Sequence, residues 1–570
     1  MQKLSRRDFL KGAAASAIGV AAMGLSGCGS PAASNTSASP HPGTATSGTP
    51  SFLTAPTKLT EKDCASVIEC DVCVLGAGNS GCAAAVSCVQ QGFDVVVLEK
   101  TASLAGRGGG IGLCNTKFVE AEGKKTNVEQ HQNIWIQRCG SRVNEALVSM
   151  WFNNGASTYD WLQGMCDKYG VTCHSFRSYA PNAYVPESYD YHCFSDTAGK
   201  TKWPGVCTYF MATNVCYMEA INDKSHPADF HFLTTANQLM KDDNGTVMGV
   251  IATQYDKDGK ETGKLCVKTS KGVVMATGGI HGNQEMVDYY CDANAHRYLE
   301  CQCTPIEAST GDGLAMGIWA GAHVQDKPFP LMLHPQAGAM YHGCFPFINA
   351  EGNRFMNEAT WVQGKSMNVM HQTGYTAYSI FDANNGKYNC LSLKDGKGGG
   401  MFWDSLYLSL EDPFTDKDLE KQLKADIDSG STVQANTLDE LAGKINVDPA
   451  KLTATISRYN KLVAAGGDED FHKPANFLFP VDTAPFYAAK VGVALLSIVG
   501  GLSINTDLQV LKDPGEGTRA IEPIKGLYAT GNVSGDLYAI DYPINMAGNS
   551  NGRCFIWGHL MGEKIAKTAG

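Results

Sequence analysis

The chain has no Cys-x-x-Cys-His haem motif and no paired Cys-x-x-Cys spacing of a zinc site, although it holds 20 cysteines. It has no basic run, and its formal charge of -11 argues against nucleic acid as a partner. After Leu25 no stretch is long and apolar enough to span a bilayer. What is present is 43% hydrophobic residue and 62 glycines, the composition of a large, turn-rich globular core. The closest cysteine pairs are Cys70/Cys73 and Cys301/Cys303. Most cysteines read as reduced core thiols, which implies an anaerobic source, and no metal site is expected. A hidden iron–sulfur cluster stays open as an alternative without spacing to support it.

The N-terminus carries Ser5-Arg6-Arg7-Asp8-Phe9-Leu10-Lys11, a twin-arginine export pattern. The apolar segment Ala13–Leu25 is too short to cross a membrane. It ends Leu25-Ser26-Gly27-Cys28, similar to a bacterial lipobox, with Cys28 as the lipidated residue; a plain signal peptide cut elsewhere is the alternative. Residues 1–27 are therefore read as signal, and 28–60, rich in Ser, Thr, Ala and Pro, as a flexible tether. The expected location is the cell envelope, with membrane contact through the lipid anchor only.

The apolar run Val72–Leu75 leads into Gly76-Ala77-Gly78-Asn79-Ser80-Gly81, then a small-residue helix pattern, a second apolar run Val95–Leu98, and Glu99. Strand, glycine turn, helix, strand and acid at this spacing form the adenine-dinucleotide fingerprint. The first glycine permits the turn, the second lets backbone approach a pyrophosphate, and the third packs helix on strand. Glu99 is expected to accept from ribose hydroxyls. No second such fingerprint exists to hold a nicotinamide cofactor.

Further glycine turns follow. Arg107-Gly108-Gly109-Gly110-Ile111-Gly112 is a loop where backbone passes close to a flat ring system. The segment Tyr179–Tyr191 is an aromatic loop. Phe230–Leu239, Val247–Tyr255 and Leu265–Thr269 read as a small meander, and a separate strand from Lys271 ends in Thr277-Gly278-Gly279. Residues 325–485 have fewer glycine turns and more polar helix. The dinucleotide theme returns at Gly526–Asn532 and at Ala547-Gly548-Asn549-Ser550. The expected fold is α/β: a Rossmann-like domain (61–324 and 486–570) interrupted by an inserted α+β domain (325–485).

Taken together, Gly76–Gly81, Glu99, Gly108–Gly110, Ala276-Thr277-Gly278-Gly279, Thr310-Gly311-Asp312-Gly313, Gly352–Glu358, Gly500-Gly501 and Gly526–Asn532 resemble the FAD-binding subunits of the fumarate reductase/succinate dehydrogenase family. The resemblance implies non-covalent FAD, held by Gly76, Ala77, Gly78, Ser80, Gly81, Glu99, Lys100, Arg107, Gly108, Gly109, Gly110, Thr277, Gly278, Asp312, Gly531, Asn532, Ala547 and Gly548. It also implies a mobile cap and hydride exchange with a CH–CH or C=C bond. The departures bear on substrate. Val362 stands where the family has an arginine proton donor, the stretch Leu495–Val499 has no histidine, and Tyr542 replaces a carboxylate-binding arginine. His334-Pro335 is kept. Each lost charge-assisted bond is worth about 1.5–3 kcal/mol, so a dicarboxylate is disfavoured.

Tyr542 is similar to the substrate tyrosine of 3-ketosteroid dehydrogenases and cardiac glycoside reductase, with Tyr538 a second candidate and Met546 departing from the pattern. The resemblance implies reduction of an enone or aryl-acrylate, an organic small molecule serving as terminal electron acceptor. Tyr542, His334 and Tyr538 are the catalytic candidates, and the proton donor is not identified. A carboxylate reductase, a ketone dehydrogenase running in reverse, and a flavin shuttle without substrate remain alternatives. With no haem motif and no covalent-FMN motif, electrons are expected from a separate cytochrome or quinol-linked donor.

Overall fold

The computed structural model describes residues 49–108, 110–175, 185–186, 188–196, 211–302, 308–388, 416–515 and 520–569. The export signal, Cys28, Gly109, Cys303 and much of the aromatic segment fall outside the described residues.

The strand Ser66–Leu75 lies between two parallel neighbours, Val95–Leu98 and Glu261–Met275, with Leu75 opposite Leu98 and Met275. Asp229–His231 and Pro523–Ala529 extend the parallel set on either side. Both faces of this centre are covered, so the strands read as unbroken apolar runs such as fully buried Val95–Leu98. Their carboxyl ends all open on one edge: Leu75 into Gly76, Leu98 into Glu99, Met275 into Ala276-Thr277, and Ala529 into Thr530-Gly531. That edge is where an open α/β sheet receives its ligand. The helix Asn79–Gln90 packs on the C-terminal helix Asn549–Thr568 through small residues. A Cβ at Gly558 or Gly562 would run into Ala83 or Ser87, so the two helices approach as only glycine and alanine allow.

Two expected strands prove to be one. Leu265–Thr269 and the strand from Lys271 are a single 15-residue strand, Glu261–Met275, whose first half pairs with Val247–Tyr255 and whose second half pairs with Pro523–Ala529. The polar pair Ser270-Lys271 reads as a break in the sequence. In the fold, Ser270 donates to Asp71 and Lys271 lies over Phe93, and Gly272 (φ 137°) lets the strand bend past Gly526.

The cap is built on the antiparallel sheet Phe347–Ile348, Thr376–Phe381, Phe486–Gly492 and Thr432–Ala435. Its own core joins Ile348, Ile380, Leu441, Leu452, Ile456 and Tyr459. Phe486–Gly492 is an interior strand of that sheet, so the cap runs to Gly492 rather than stopping at 485. A seam sheet follows, Glu300–Cys301, Ala494–Ile498 and Leu331–His334, where the two parts of the chain meet. Arg354 and Glu358 pair inside the cap (2.7 Å), with Asp468 (2.7 Å) and Lys473 (3.2 Å) completing a buried network.

The expected tether is docked from Phe52 on. Phe52 is buried against Tyr289 and Tyr290, its carbonyl accepts from Trp319 Nε1 (2.8 Å), and Gln238 holds Thr57 and Leu59. Among the described residues no helix is long and apolar enough to cross a membrane.

Burial also fixes how the fold responds to acid. His192, His281 and His559 are pushed down to about 4, and His334 and His342 to about 3, by desolvation. Folded, these five stay neutral where the unfolded chain protonates them, so they cost stability as pH falls below 6.5. Asp190 and Asp541, raised by burial to about 7 and about 6, act the other way. Near pH 5 the unfolded state holds about three more protons, a slope of about 4 kcal/mol per pH unit. Thermal melts are expected to drop steeply from pH 7 to pH 5; a flat profile refutes this.

Candidate active site and cofactor cradle

The first turn is shaped by its own backbone. Gly76 has φ 105°, and a Cβ there would meet Ala276 O at 2.5 Å. A Cβ at Gly81 would fall inside Gly76 O. Gly78 differs: a Cβ there meets nothing nearer than Ala105 O at 3.5 Å. The protein's own packing does not demand glycine at 78, and the space over it is left for a ligand to approach the backbone. This is the fit expected of a pyrophosphate cradle.

Beside it lies an open cleft of about 640 Å³ lined by Gly76, Gly78, Glu99, Lys100, Arg107 and Thr277 among others. Glu99 is buried. Its carboxylate accepts from Ala77 N (2.7 Å) and from Thr101 N and Oγ1 (both 2.8 Å), which fixes it at the cleft wall. Lys100 bonds Thr310 Oγ1 (2.6 Å) and Asp312 Oδ2 (2.9 Å), and Arg107 donates to the carbonyl of Gln302. Lys100 and Asp312 thus tie the rim together. Gly278 (φ 77°) and Gly313, which leaves room for Thr277, complete this end.

The other end is formed by Gly108 (φ 84°), Gly110, Ala547 and Gly548 (φ 65°), the last capping the C-terminal helix. Gly110 N donates to the hydroxyl of Tyr191 (2.8 Å), whose ring occupies the space a Cβ at Gly110 would need. Gly531 leaves room for Ser80. Asn532 is engaged as a brace, bonding Ser497 (2.9 Å) and Ser550 (3.0 Å). Asn79 joins the loop to the first helix by bonding Arg107, Asn551 and Thr213. Tyr191, Asn79 and Thr213 were not identified as site residues from sequence. Only Tyr191 carried a signal, as the end of the aromatic segment.

The two tyrosines part company. Tyr538 donates its proton to Asn549 Oδ1 (2.9 Å) and stacks on Trp135 at 5.5 Å, buried, with Arg553 over its ring. Its hydroxyl proton is engaged by Asn549, and its ring packs between Trp135 and Arg553. Tyr542 does the reverse: its oxygen accepts from Ser550 N (3.2 Å) at the start of the C-terminal helix, and among the described residues nothing takes its proton. Between them Ile540, a β-branched residue, is held at φ 51°, a conformation that signals a tight, over-determined turn. That turn sets the tyrosine rings 5.4 Å apart and presents Asp541 toward the cap.

Asp541 faces Arg138 Nη1 at 3.9 Å, accepts from Tyr542 N (2.8 Å) and bonds Gln363. Arg138 lies 3.6 Å over the ring of Trp361, the residue before Val362. Gln363 clamps the cap helix Val362–Met370 to the seam through Leu333 N (2.8 Å) and Leu331 O (2.6 Å), next to His334. His334, Val362, Asp541 and Arg138 therefore gather at the seam. Desolvation keeps His334 neutral at ordinary pH, so it offers no cationic clamp. Neither Arg138 nor Asp541 was singled out in sequence, because they belong to elements about 400 positions apart. Among the described residues no cluster is arranged to hold a metal ion.

The family model described as "FAD binding domain" matches residues 71–545. The chain is 32% identical over 345 residues to the NADH:acrylate oxidoreductase of Vibrio harveyi, covering 58% of this chain and 30% of that protein. It thus spans under a third of that relative's length. It is 26% identical over 512 residues to the fumarate reductase (cytochrome) of Shewanella frigidimarina, covering 87% and 77%. The solved 3-ketosteroid-Δ4-(5α)-dehydrogenase of Rhodococcus jostii shares the fold, with a TM-score of 0.65 at 22% identity over 88% and 97% of the two chains.

Proposed function

We propose, from the premise that this chain belongs to the FAD binding domain family and is an FAD-dependent oxidoreductase acting on CH–CH groups, that it reduces a C=C bond conjugated to an uncharged carbonyl. The observation that carries this is Tyr542, a buried phenol with its oxygen held by Ser550 N and its proton unclaimed among the described residues. When bound, FAD supplies hydride chemistry to the substrate. Tyr542 donates to the substrate carbonyl and stabilises the charge that grows on it. Val362 and neutral His334 stand where charged carboxylate-binding groups would be expected, which suits an enone or aryl-acrylate.

Asp541 supplies the proton. Burial raises its carboxyl to about 6, and Arg138 and Gln363 hold it at the seam. A group acting as an acid works when protonated, so turnover is expected to be level below about pH 6 and to fall above it. Asp541→Asn is expected to remove that limb along with most of the activity; an unaltered pH profile in the variant refutes the role.

One observation favours a second reading. Arg138, at the seam beside Val362, offers a guanidinium that a small carboxylate acceptor could use in place of the family's arginine. The deciding experiment mixes the reduced protein with enones, cinnamates, urocanate and fumarate and follows reoxidation. No oxidation above buffer refutes both readings, and fumarate as best oxidant replaces the first with the second.

The same reading places the enzyme outside the cytoplasmic membrane, anchored at Cys28 and fed by a separate cytochrome or quinol-linked donor. The twin-arginine pattern at Arg6-Arg7 and the lack of a second dinucleotide fingerprint support it. Palmitate labelling that persists in Cys28→Ala would refute the anchor.

A further inference from the structure

Arg553 is a fully buried guanidinium in the second turn of the C-terminal helix, and no carboxylate pairs with it among the described residues. Nη1 donates to Ser534 O (3.0 Å), Nη2 donates to Asn532 Oδ1, and the group sits 4.8 Å from the centre of the Tyr538 ring. Nε has no partner. Every acceptor here is neutral. Two other buried cations differ: Arg354 and Lys473 share Glu358 and Asp468 inside the cap. A buried charge without a counter-charge is costly and is normally paired or neutralised, and arginine does not give up its proton. Among the described residues that counter-charge is missing, and a bound group of opposite sign can supply it.

The position of Arg553 identifies it. Asn532, which Arg553 holds, is also braced to Ser497 and to Ser550 in the first turn of the same helix, whose cap Gly548 meets the Gly110 loop. The guanidinium therefore stands directly behind the cradle wall that receives FAD, and helix N-terminus and guanidinium present positive potential to the same space. We propose that Arg553 is the counter-charge for the reduced cofactor, holding it as the anion and so raising the potential at which the bound FAD accepts electrons. The balance is two electrons and one proton taken up per FAD, leaving one net negative charge opposite Arg553. The inference rests on FAD binding alone and not on which substrate is reduced.

The test is the midpoint potential of FAD on the holoprotein as a function of pH. For the wild type the expected slope is about 30 mV per pH unit from pH 6 to 8, the value for two electrons with one proton. Arg553→Met is expected to weaken the holding of reduced relative to oxidised FAD about 100-fold, a fall of about 60 mV. Arg553→Lys is expected to keep most of the wild-type value. The cofactor-free Arg553→Met protein is expected to melt at or above the wild-type apoprotein, because it no longer buries an unpaired charge. If Arg553→Met fails to fold, the wild-type slope and Arg553→Lys carry the test. A wild-type slope of about 60 mV per pH unit, a potential in Arg553→Met equal to wild type, or a potential in Arg553→Lys that falls by the full amount overturns the proposal.

Discussion

Tyr542→Phe is expected to slow reoxidation of the reduced enzyme by its acceptor about 100- to 1,000-fold, with FAD content unchanged. That is the range seen when one donor to a developing oxyanion is removed. The specificity of the expectation comes from the hydrogen bonding. Ser550 N donates to the hydroxyl oxygen, so the oxygen is fixed while its proton stays available. Removing the hydroxyl also leaves Ser550 N without that acceptor, which costs the fold about 1–3 kcal/mol at most and is visible as a small drop in melting temperature. Stopped-flow reoxidation, read beside the flavin absorbance per chain, separates the effects. An unchanged rate removes Tyr542 from the chemistry. Tyr538→Phe is the control, since Tyr538 donates to Asn549 and stacks on Trp135; its effect is expected on stability and not on rate at full FAD occupancy.

The second large effect is at Gly81. A Cβ at this position would overlap Gly76 O, backbone that cannot move without dismantling the turn between Leu75 and Asn79. Gly81→Ala is expected to yield protein with less than a tenth of the wild-type FAD content after purification and dialysis against excess cofactor. Gly78→Ala makes the contrast informative. Its Cβ meets nothing nearer than 3.5 Å in the protein, so the fold is expected to survive intact while FAD affinity falls, because the methyl group enters the space meant for the cofactor. Full FAD occupancy in Gly78→Ala would show that the space above Gly78 is not where the pyrophosphate lies.

The cradle was legible in the sequence because its demands are met by residue type. A turn at φ 105° and a helix that must touch its neighbour each require glycine, and the acid after the second strand has a fixed distance to reach. The seam was not legible to the same degree. Tyr538 and Tyr542 are two tyrosines four apart, and nothing in composition says which has a free proton; a strained turn at Ile540 decides it. Arg138 and Asp541 meet only because the fold closes helix Val128–Arg138 against the segment before the C-terminal helix. Arg553 carries no local signal at all, since its burial depends on Tyr538 and Asn532 closing over it. The cap boundary was misplaced for a related reason. Two short strands of successive sheets, separated by Val493 alone, look in sequence like one.

That succession has a mechanical meaning. Phe486–Gly492 is an interior strand of the cap, Ala494–Ile498 is the central strand of the seam, and only Val493 separates them. A door hung this way has no slack in its hinge. Any swing of the cap turns the seam strand, and with it the pairing of Ala494 to His334 and of Leu495 to Leu333. Admission of substrate and alignment of the reacting groups are then one coordinate rather than two. A variant that loosens the cap is expected to lose chemistry in step with selectivity, and a cofactor shuttle with no substrate would have no use for such a linkage.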